Sequence, residues 1–139
     1  MRAAPRSNAI TSLQLPRTDP VSAVVFEKRP RWAPELERQF ANEGVRVVAC
    51  RSLRDVADRS VDLARGVIVL DLATDTAECL RFLGGRLGDA KALPVFVVGS
   101  NRTAALEWAV RELGANAFFP GTIPGHEMAD LCRRQWDRR

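Results

Sequence analysis

Three side chains capable of metal-binding, acid or hydrogen-bonding chemistry follow apolar runs of the sequence. Asp71 follows the run GVIVL, Glu27 follows VSAVVF, and Ser100 comes two residues after PVFVV. A carboxylate inside a layer that is buried on both faces is costly unless it is paired. We therefore predict that Asp71 lies at the carboxyl end of a buried strand, where loops and ligands meet.

Apolar periodicity divides the chain into alternating strands and helices. Short apolar runs predict strands at residues 21–26, 45–49, 66–70, 94–98 and 116–119. Amphipathic stretches predict helices at residues 33–44, 52–64, 75–83, 102–113 and 126–136. Short connections in this alternation require right-handed crossovers and a parallel sheet. The predicted fold is α/β, a flavodoxin-like, doubly wound five-stranded sheet of order 2-1-3-4-5 with helices on both faces.

A sheet of this order places its ligand site beyond the carboxyl ends of the strands, near the point where the strand order reverses. That point lies between the first and third strands. It directs attention to Phe26, Glu27 and Asp71, which end those strands or follow them.

Length and composition favour one globular domain. The 139 residues are 46% hydrophobic and 27% charged, and no apolar run approaches the roughly 20 residues that span a bilayer. No secretory signal follows the first arginines, so we expect a cytoplasmic protein without a membrane partner. We expect a disordered lead-in at residues 1–20, a domain at 21–136 and a tail at 137–139.

Cysteine content and charge distribution argue against several kinds of site. Three widely spaced cysteines in apolar patterns predict reduced core residues, and the single histidine, His126, leaves few options for a metal site. The formal net charge is +4, but residues 1–20 hold three arginines and one aspartate, and residues 127–139 hold four arginines and three acids. The positive charge is therefore concentrated in the ends, and we expect no nucleic-acid partner.

Three stretches, VIVLDL, PVFVVGS and ELGANAFFPG, resemble a response-regulator receiver domain over about residues 21–136. In that family the third strand ends on an aspartate that accepts a phosphoryl group, and Asp71 occupies the matching position. Phe118 lies four residues after Gly114, where the family has a switching Tyr or Phe. The resemblance implies a signalling module of two-component phosphorelays rather than an enzyme.

Other positions depart from the family pattern. The family holds Mg²⁺ with two adjacent acids, which correspond here to Phe26 and Glu27, so half of the pair is missing. The expected hydroxyl after the fourth strand is replaced by Gly99, with Ser100 one residue later, and the expected lysine is replaced by Gly121. The cations that the sequence offers nearby are Lys28 and Arg29. These losses predict a degenerate receiver, or pseudo-receiver, with weak or absent phosphorylation at Asp71 and no cofactor; Mg²⁺ at Glu27 and Asp71 is the weaker alternative.

A protein-binding surface is the function that such a domain retains. Family members commonly bind partners or dimerise through the face made by the fourth helix, fifth strand and fifth helix, here residues 102–136. In the predicted fourth helix, the apolar residues Ala104, Ala105 and Trp108 lie outside the positions assigned to the core. We expect this surplus to form an apolar patch for a protein partner or for self-association. The arginines expected at its border are Arg111, Arg133 and Arg134.

Structural alternatives remain open for the same residues. Asp71 alternatively caps the turn that follows it, Glu27 is a solvated loop acid, Phe118 belongs to the core, and Trp108 packs against the fifth helix. Two other functions stay open: a small-ligand-binding domain of this fold, although FEKRPRW contains no phosphate-binding glycine, and an active phosphoacceptor with an atypical site. A hydrolase is disfavoured because the sequence contains no G-x-S-x-G motif.

Overall fold

The computed structural model describes residues 20–137 and confirms the predicted sheet, which is parallel with strand order β2-β1-β3-β4-β5. The strands are β1 (Val21–Phe26), β2 (Val45–Cys50), β3 (Arg65–Asp71), β4 (Val95–Val98) and β5 (Ala117–Phe119). The α-helices are α1 (Trp32–Gln39), α2 (Leu53–Ser60), α3 (Thr76–Gly85), α4 (Glu107–Glu112) and α5 (Gly125–Asp137), and two 3₁₀ turns span Leu72–Thr74 and Ala104–Leu106. The predicted lead-in, except for Pro20, and the last two residues of the predicted tail lie outside this range.

Local polar contacts explain where two helices begin. The Ser52 hydroxyl accepts the Asp55 N–H at 3.0 Å at the start of α2, and the Asp75 carboxylate accepts the Glu78 N–H at 3.1 Å at the start of α3. Both side chains supply a partner to a backbone donor that the first helical turn leaves unpaired.

Three predicted helices are shorter than the sequence suggested, and one of them, the second, predicted over 52–64, ends at Ser60. The first ends at Gln39 rather than at residue 44, because the chain turns through Asn42 and Gly44, both of which have positive φ. The fourth was predicted over 102–113, but residues 104–106 form a 3₁₀ turn and α4 covers six residues. The Thr103 hydroxyl accepts the Ser100 N–H at 2.7 Å, a local bond that competes with helix formation.

The end of the third helix also differs from its prediction. The predicted third helix was expected to stop at the Gly84–Gly85 pair, whereas α3 includes both glycines. In the strands, Gly66 of β3 faces Ser22 of β1 in the sheet register. A Cβ atom at Gly66 would stand 2.1 Å from the Ser22 carbonyl oxygen, so the close approach of these strands requires glycine.

Alternate strand residues form two cores, one on each face of the sheet. The core under α1 and α5 contains Val25, Val69, Leu36, Phe40, Met128 and Trp136. The core under α2, α3 and α4 contains Val24, Leu70, Val56, Leu83 and Val110. Because helices cover both faces of the sheet, the two ends of the strands remain accessible. The candidate site lies at their carboxyl ends.

The cysteines belong to these cores. Cys50, Cys79 and Cys132 are buried and unpaired, and burial raises the pKa of each thiol to about 12. Each thiol is therefore protonated at neutral pH and is a weak nucleophile. Among the helices within residues 20–137, none combines the length and the apolar character needed to cross a bilayer.

Candidate functional site

The sheet register brings the ends of β1 and β3 together. Phe26 pairs with Leu70, and the residues that come next are Glu27, directly after β1, and Asp71, within β3. Asp71 is the last residue of β3, as predicted from the sequence. The two carboxylates that the sequence singled out therefore occupy neighbouring positions at one edge of the sheet, but they contact different partners.

Glu27 binds the beginning of α1. Its Oε2 accepts the backbone N–H groups of Arg31 and Ala33, each at 3.0 Å, and its Oε1 accepts that of Trp32 at 2.9 Å. Only 5% of Glu27 is exposed, so the expectation of a solvated loop acid is wrong. A carboxylate at this position satisfies donors that the helix leaves unpaired and lies at the positive end of its dipole.

Asp71 is half-buried and makes one side-chain contact with the turn that follows it. Its Oδ2 accepts the Thr74 hydroxyl at 3.0 Å. The Thr74 oxygen in turn lies 3.4 Å from the backbone nitrogen of Lys28, in the loop after β1. Asp71 thus bonds a side-chain hydroxyl of the turn rather than a backbone N–H.

The donor set lacks part of what the family resemblance implies for Mg²⁺. Phe26 is buried in the core at one of the two expected acid positions, and the Glu27 oxygens already accept three N–H groups. Mg²⁺ requires near-octahedral oxygen ligands. Within residues 20–137 no group of three or more His, Cys, Asp or Glu side chains is placed to hold a metal ion.

Gly99 and Phe118 occupy the space where the resemblance implies a hydroxyl. A Cβ atom at Gly99 would lie 2.3 Å from Cζ of Phe118, so the aromatic ring fills the volume that a side chain at residue 99 would need. The Ser100 hydroxyl lies one residue later, and its Oγ accepts the Arg102 N–H at 3.2 Å within the 100–103 turn. Phe118 is half-buried and packs against the core under α2, α3 and α4.

Sequence reasoning missed the cation that reaches Gly121. Lys28, Arg29 and Arg31 are all exposed, and it is Arg31 whose guanidinium nitrogen donates to the Gly121 carbonyl oxygen. The Arg31 guanidinium carbon also lies 4.8 Å from the centre of the Trp32 ring, a cation–π contact that holds the side chain in place. The one available signal was that Arg31 precedes an aromatic residue, and this does not show which loop the side chain reaches.

A cleft opens between this arginine and the β4–β5 side of the sheet, with a volume of about 450 Å³. We call it the Arg31 cleft. Its lining residues come from the loop after β1, the loop after β4, the start of α4, and β5 with its following loop: Arg31, Ser100, Asn101, Ala104, Glu107, Phe118, Pro120, Gly121 and Thr122. Asp71 is not among them, so the cleft and the predicted phosphoacceptor are separate features of the same edge.

Trp108 lies on the outer side of α4 with 73% of its surface exposed. The alternative in which it packs against the fifth helix is therefore wrong. Arg111 forms an ion pair with Glu107 of the same helix at 3.0 Å. Arg133 does not border the patch as expected, because it binds Glu43 at 2.7 Å near the end of α1.

His126 is exposed near the start of α5, the position that the sequence suggested. Arg134 is also exposed on this helix. Neither residue lines the Arg31 cleft.

Comparison with known proteins identifies the fold. The receiver domain of the TMAO respiratory system response regulator TorR superimposes with a TM-score of 0.70 at 18% identity, covering 86% of this chain and 98% of that one. The receiver domain of a putative LuxO repressor from Vibrio parahaemolyticus gives 0.72 at 15% identity, covering 87% and 92%. The beryllofluoride-activated NtrC4 receiver domain dimer gives 0.69 at 15% identity, covering 84% and 97%.

No protein-family model matches the sequence, and the search of curated proteins also finds no match. The solved structures are less than 20% identical to the chain, and at such identity a likeness of structure establishes the fold while function must be argued from the site. The strand order and these superpositions confirm at the level of fold the resemblance predicted from the sequence: this chain has the fold of a response-regulator receiver domain.

Proposed function

We propose that this chain is a receiver-like signalling module that acts through protein–protein contact, with weak or absent phosphorylation at Asp71. The observation that carries the proposal is the environment of Glu27. A carboxylate whose oxygens accept three backbone N–H groups at the start of α1 serves the fold, and releasing it to a metal would leave those donors unpaired.

Charge balance supports weak phosphoryl chemistry. A phosphoryl group on Asp71 carries close to two negative charges and needs cations and hydrogen-bond donors to offset them. Gly99 and Gly121 stand where the family resemblance implies a hydroxyl and a lysine. Charge-assisted contacts are worth about 1.5–3 kcal/mol each, and a rate falls about tenfold per 1.4 kcal/mol. The loss of two or three such contacts would slow phosphorylation by orders of magnitude.

The partner surface in this proposal is the face made by α4, β5 and α5, within residues 102–136. Its support is the exposure of Trp108, together with exposed Ala104 and Ala105 on the same segment. A large exposed aromatic beside small apolar residues, with charged residues such as Arg111 nearby, has the composition of a modest protein interface. The occupant is a protein partner or a second copy of the chain.

The proposal also places the chain in the cytoplasm. Its support is the state of the cysteines, since the three thiols are buried and unpaired. Unpaired cysteines are the norm where the compartment is reducing.

Titration with beryllofluoride and Mg²⁺, followed by ¹H–¹⁵N NMR, tests the proposal. We expect backbone amide shifts to stay essentially unchanged at millimolar Mg²⁺, because the residues that would hold the metal and the fluoride ligands are replaced or already bonded. Asp71→Asn is the control, and any residual shifts should be the same in this variant.

Saturable shifts that depend on Asp71 would contradict the proposal and would favour an active phosphoacceptor with an atypical site. The structure contains a specific candidate for that outcome, because Arg31 brings a cation to the backbone of Gly121. Arg31→Gln would then abolish the response.

A further inference from the structure

We propose that the Arg31 cleft binds a small organic anion, a carboxylate or phosphate ester carried on an apolar body. This site goes beyond the signalling function proposed above and does not depend on Asp71. Its volume of about 450 Å³ lies within the range of roughly 300–1,000 Å³ that is typical of ligand pockets.

Arg31 supplies the anion-binding group. A guanidinium group carries five N–H donors, and the structure uses one nitrogen of Arg31 for the Gly121 carbonyl while the Trp32 ring supports the planar face. Within residues 20–137, Arg31 has no carboxylate within ion-pair distance. The arginine is therefore held in position with donors left for an oxyanion.

The rest of the lining suits an anion with an apolar body. Ser100, Asn101 and Thr122 add hydroxyl and amide groups, and Phe118, Pro120 and Ala104 supply apolar surface. One carboxylate, Glu107, also lines the cleft, but it is paired with Arg111 at 3.0 Å. That pairing offsets the charge of Glu107, so its repulsion of a bound anion is reduced.

The site is tested on the full chain by ¹H–¹⁵N NMR titration with phenyl phosphate and with benzoate, which represent the two sources of the anionic group. We expect at least one of them to give saturable shifts centred on the amides of Ser100, Asn101 and Gly121, with a dissociation constant below about 1 mM. Dissociation constants above about 1 mM for both probes overturn the proposal.

Two neutral or partial probes separate the contributions of charge and apolar contact. Benzyl alcohol carries the ring without the anion, and inorganic phosphate carries the anion without the ring. Each should bind at least about tenfold more weakly than the better of the two full probes. If benzyl alcohol binds as tightly as the better full probe, Arg31 does not contribute to binding. If inorganic phosphate binds as tightly, the apolar lining residues Phe118, Pro120 and Ala104 do not contribute. Either result contradicts the site as proposed.

Variants locate the ligand. Arg31→Gln should weaken binding by about tenfold or more, whereas the matched control Arg29→Gln, an exposed arginine of the same loop, should leave it unchanged. Ala104→Trp keeps Arg31 but fills the cleft and should block binding. Equal losses in the two arginine variants, or full binding in Ala104→Trp, would place the ligand elsewhere and overturn the inference.

Asp71→Asn should bind the probes like the wild type. A loss of binding in this variant would contradict the independence of the cleft from the predicted phosphoacceptor. The titration with beryllofluoride is thus a separate test, and either proposal can fail without the other.

Discussion

The carboxyl edge of the sheet has two halves that use their polar residues differently. At the ends of β1 and β3, Glu27 and Asp71 are bonded within the chain, to the start of α1 and to Thr74. At the ends of β4 and β5, an arginine faces a cleft and a tryptophan of α4 is 73% exposed. Acids at a strand end therefore indicate a ligand site only when their hydrogen bonds are not already taken by the fold.

One loop connects the two halves. Glu27 fixes the backbone of Arg31 through its N–H group at 3.0 Å, and the side chain of Arg31 then crosses to the carbonyl of Gly121 after β5. The acid that serves the fold at β1 therefore positions the cation that lines the cleft at β5. A change at Glu27 is expected to disturb both halves, while changes in the second half should remain local.

Glu27→Ala should have the largest effect. It removes three bonds between a carboxylate and buried or partly buried backbone donors, and we expect the free energy of unfolding to fall by roughly 2–4 kcal/mol. Urea denaturation followed by circular dichroism measures it. Glu37→Ala, an exposed acid on the same helix, is the matched control and should change stability by no more than about 0.5 kcal/mol.

Equal stability of the two variants would show that the Glu27 contacts contribute little. The comparison between the two halves would then lose its basis, because Glu27 would be available to a metal at small cost to the fold.

Gly99→Thr should have the next largest effect. It restores the hydroxyl that the family resemblance implies, but its Cβ would meet the Phe118 ring at 2.3 Å. Forcing a side chain into packed space costs about 1–3 kcal/mol. Gly85→Thr is the control, since a Cβ at Gly85 has no atom within 4 Å; its smaller cost reflects helix propensity alone.

A second variant tests the cause of the Gly99→Thr loss. Phe118→Ala removes the ring, and the double variant should lose less stability than the sum of the two single variants. Additive losses would mean that the ring and residue 99 do not compete for the same space.

The sheet was predictable because its determinants are local and repeated. Five apolar runs separated by amphipathic stretches fix a parallel, doubly wound order, and the position of Asp71 follows from where the third run ends. The start of the fourth helix was not predicted correctly, because the Ser100 N–H donates to the Thr103 hydroxyl and residues 104–106 then form a 3₁₀ turn. Composition and periodicity carry no signal for such a bond.

The site was less predictable because its contacts cross loops. Glu27 reaches donors four to six residues later only after the loop folds back, and the sequence also permitted a solvated acid. Arg29 and Arg31 differ in the sequence pattern only by the residue that follows each, Pro30 or Trp32, yet of the two only Arg31 lines the cleft at Gly121. Tertiary geometry decides between the two arginines. The family resemblance could therefore identify the missing lysine at Gly121, but it could not identify Arg31 as the cation that lies near that position.

Asp71→Asn should have a small effect on stability. The amide oxygen of asparagine can still accept the Thr74 hydroxyl, and the structure shows one side-chain bond at this position. We expect the free energy of unfolding to change by no more than about 1 kcal/mol in either direction, measured by urea denaturation. A loss of several kcal/mol would instead make Asp71 a structural centre comparable to Glu27.

Trp108→Glu should have the smallest effect on the fold and a specific effect on association. Trp108 is exposed, so its replacement should change the free energy of unfolding by no more than about 0.5 kcal/mol and leave the far-ultraviolet circular dichroism intact. If the α4–β5–α5 face self-associates, sedimentation velocity at increasing concentration should show a dimer for the wild type and a monomer for the variant.

Val61→Glu is the matched control, because Val61 is 75% exposed but lies just after α2, outside that face. Loss of the dimer in both variants would point to general apolar association rather than to this surface. A wild type that remains monomeric throughout would exclude a second copy as the occupant of the α4–β5–α5 face and would leave a different protein as the partner that the proposal must identify.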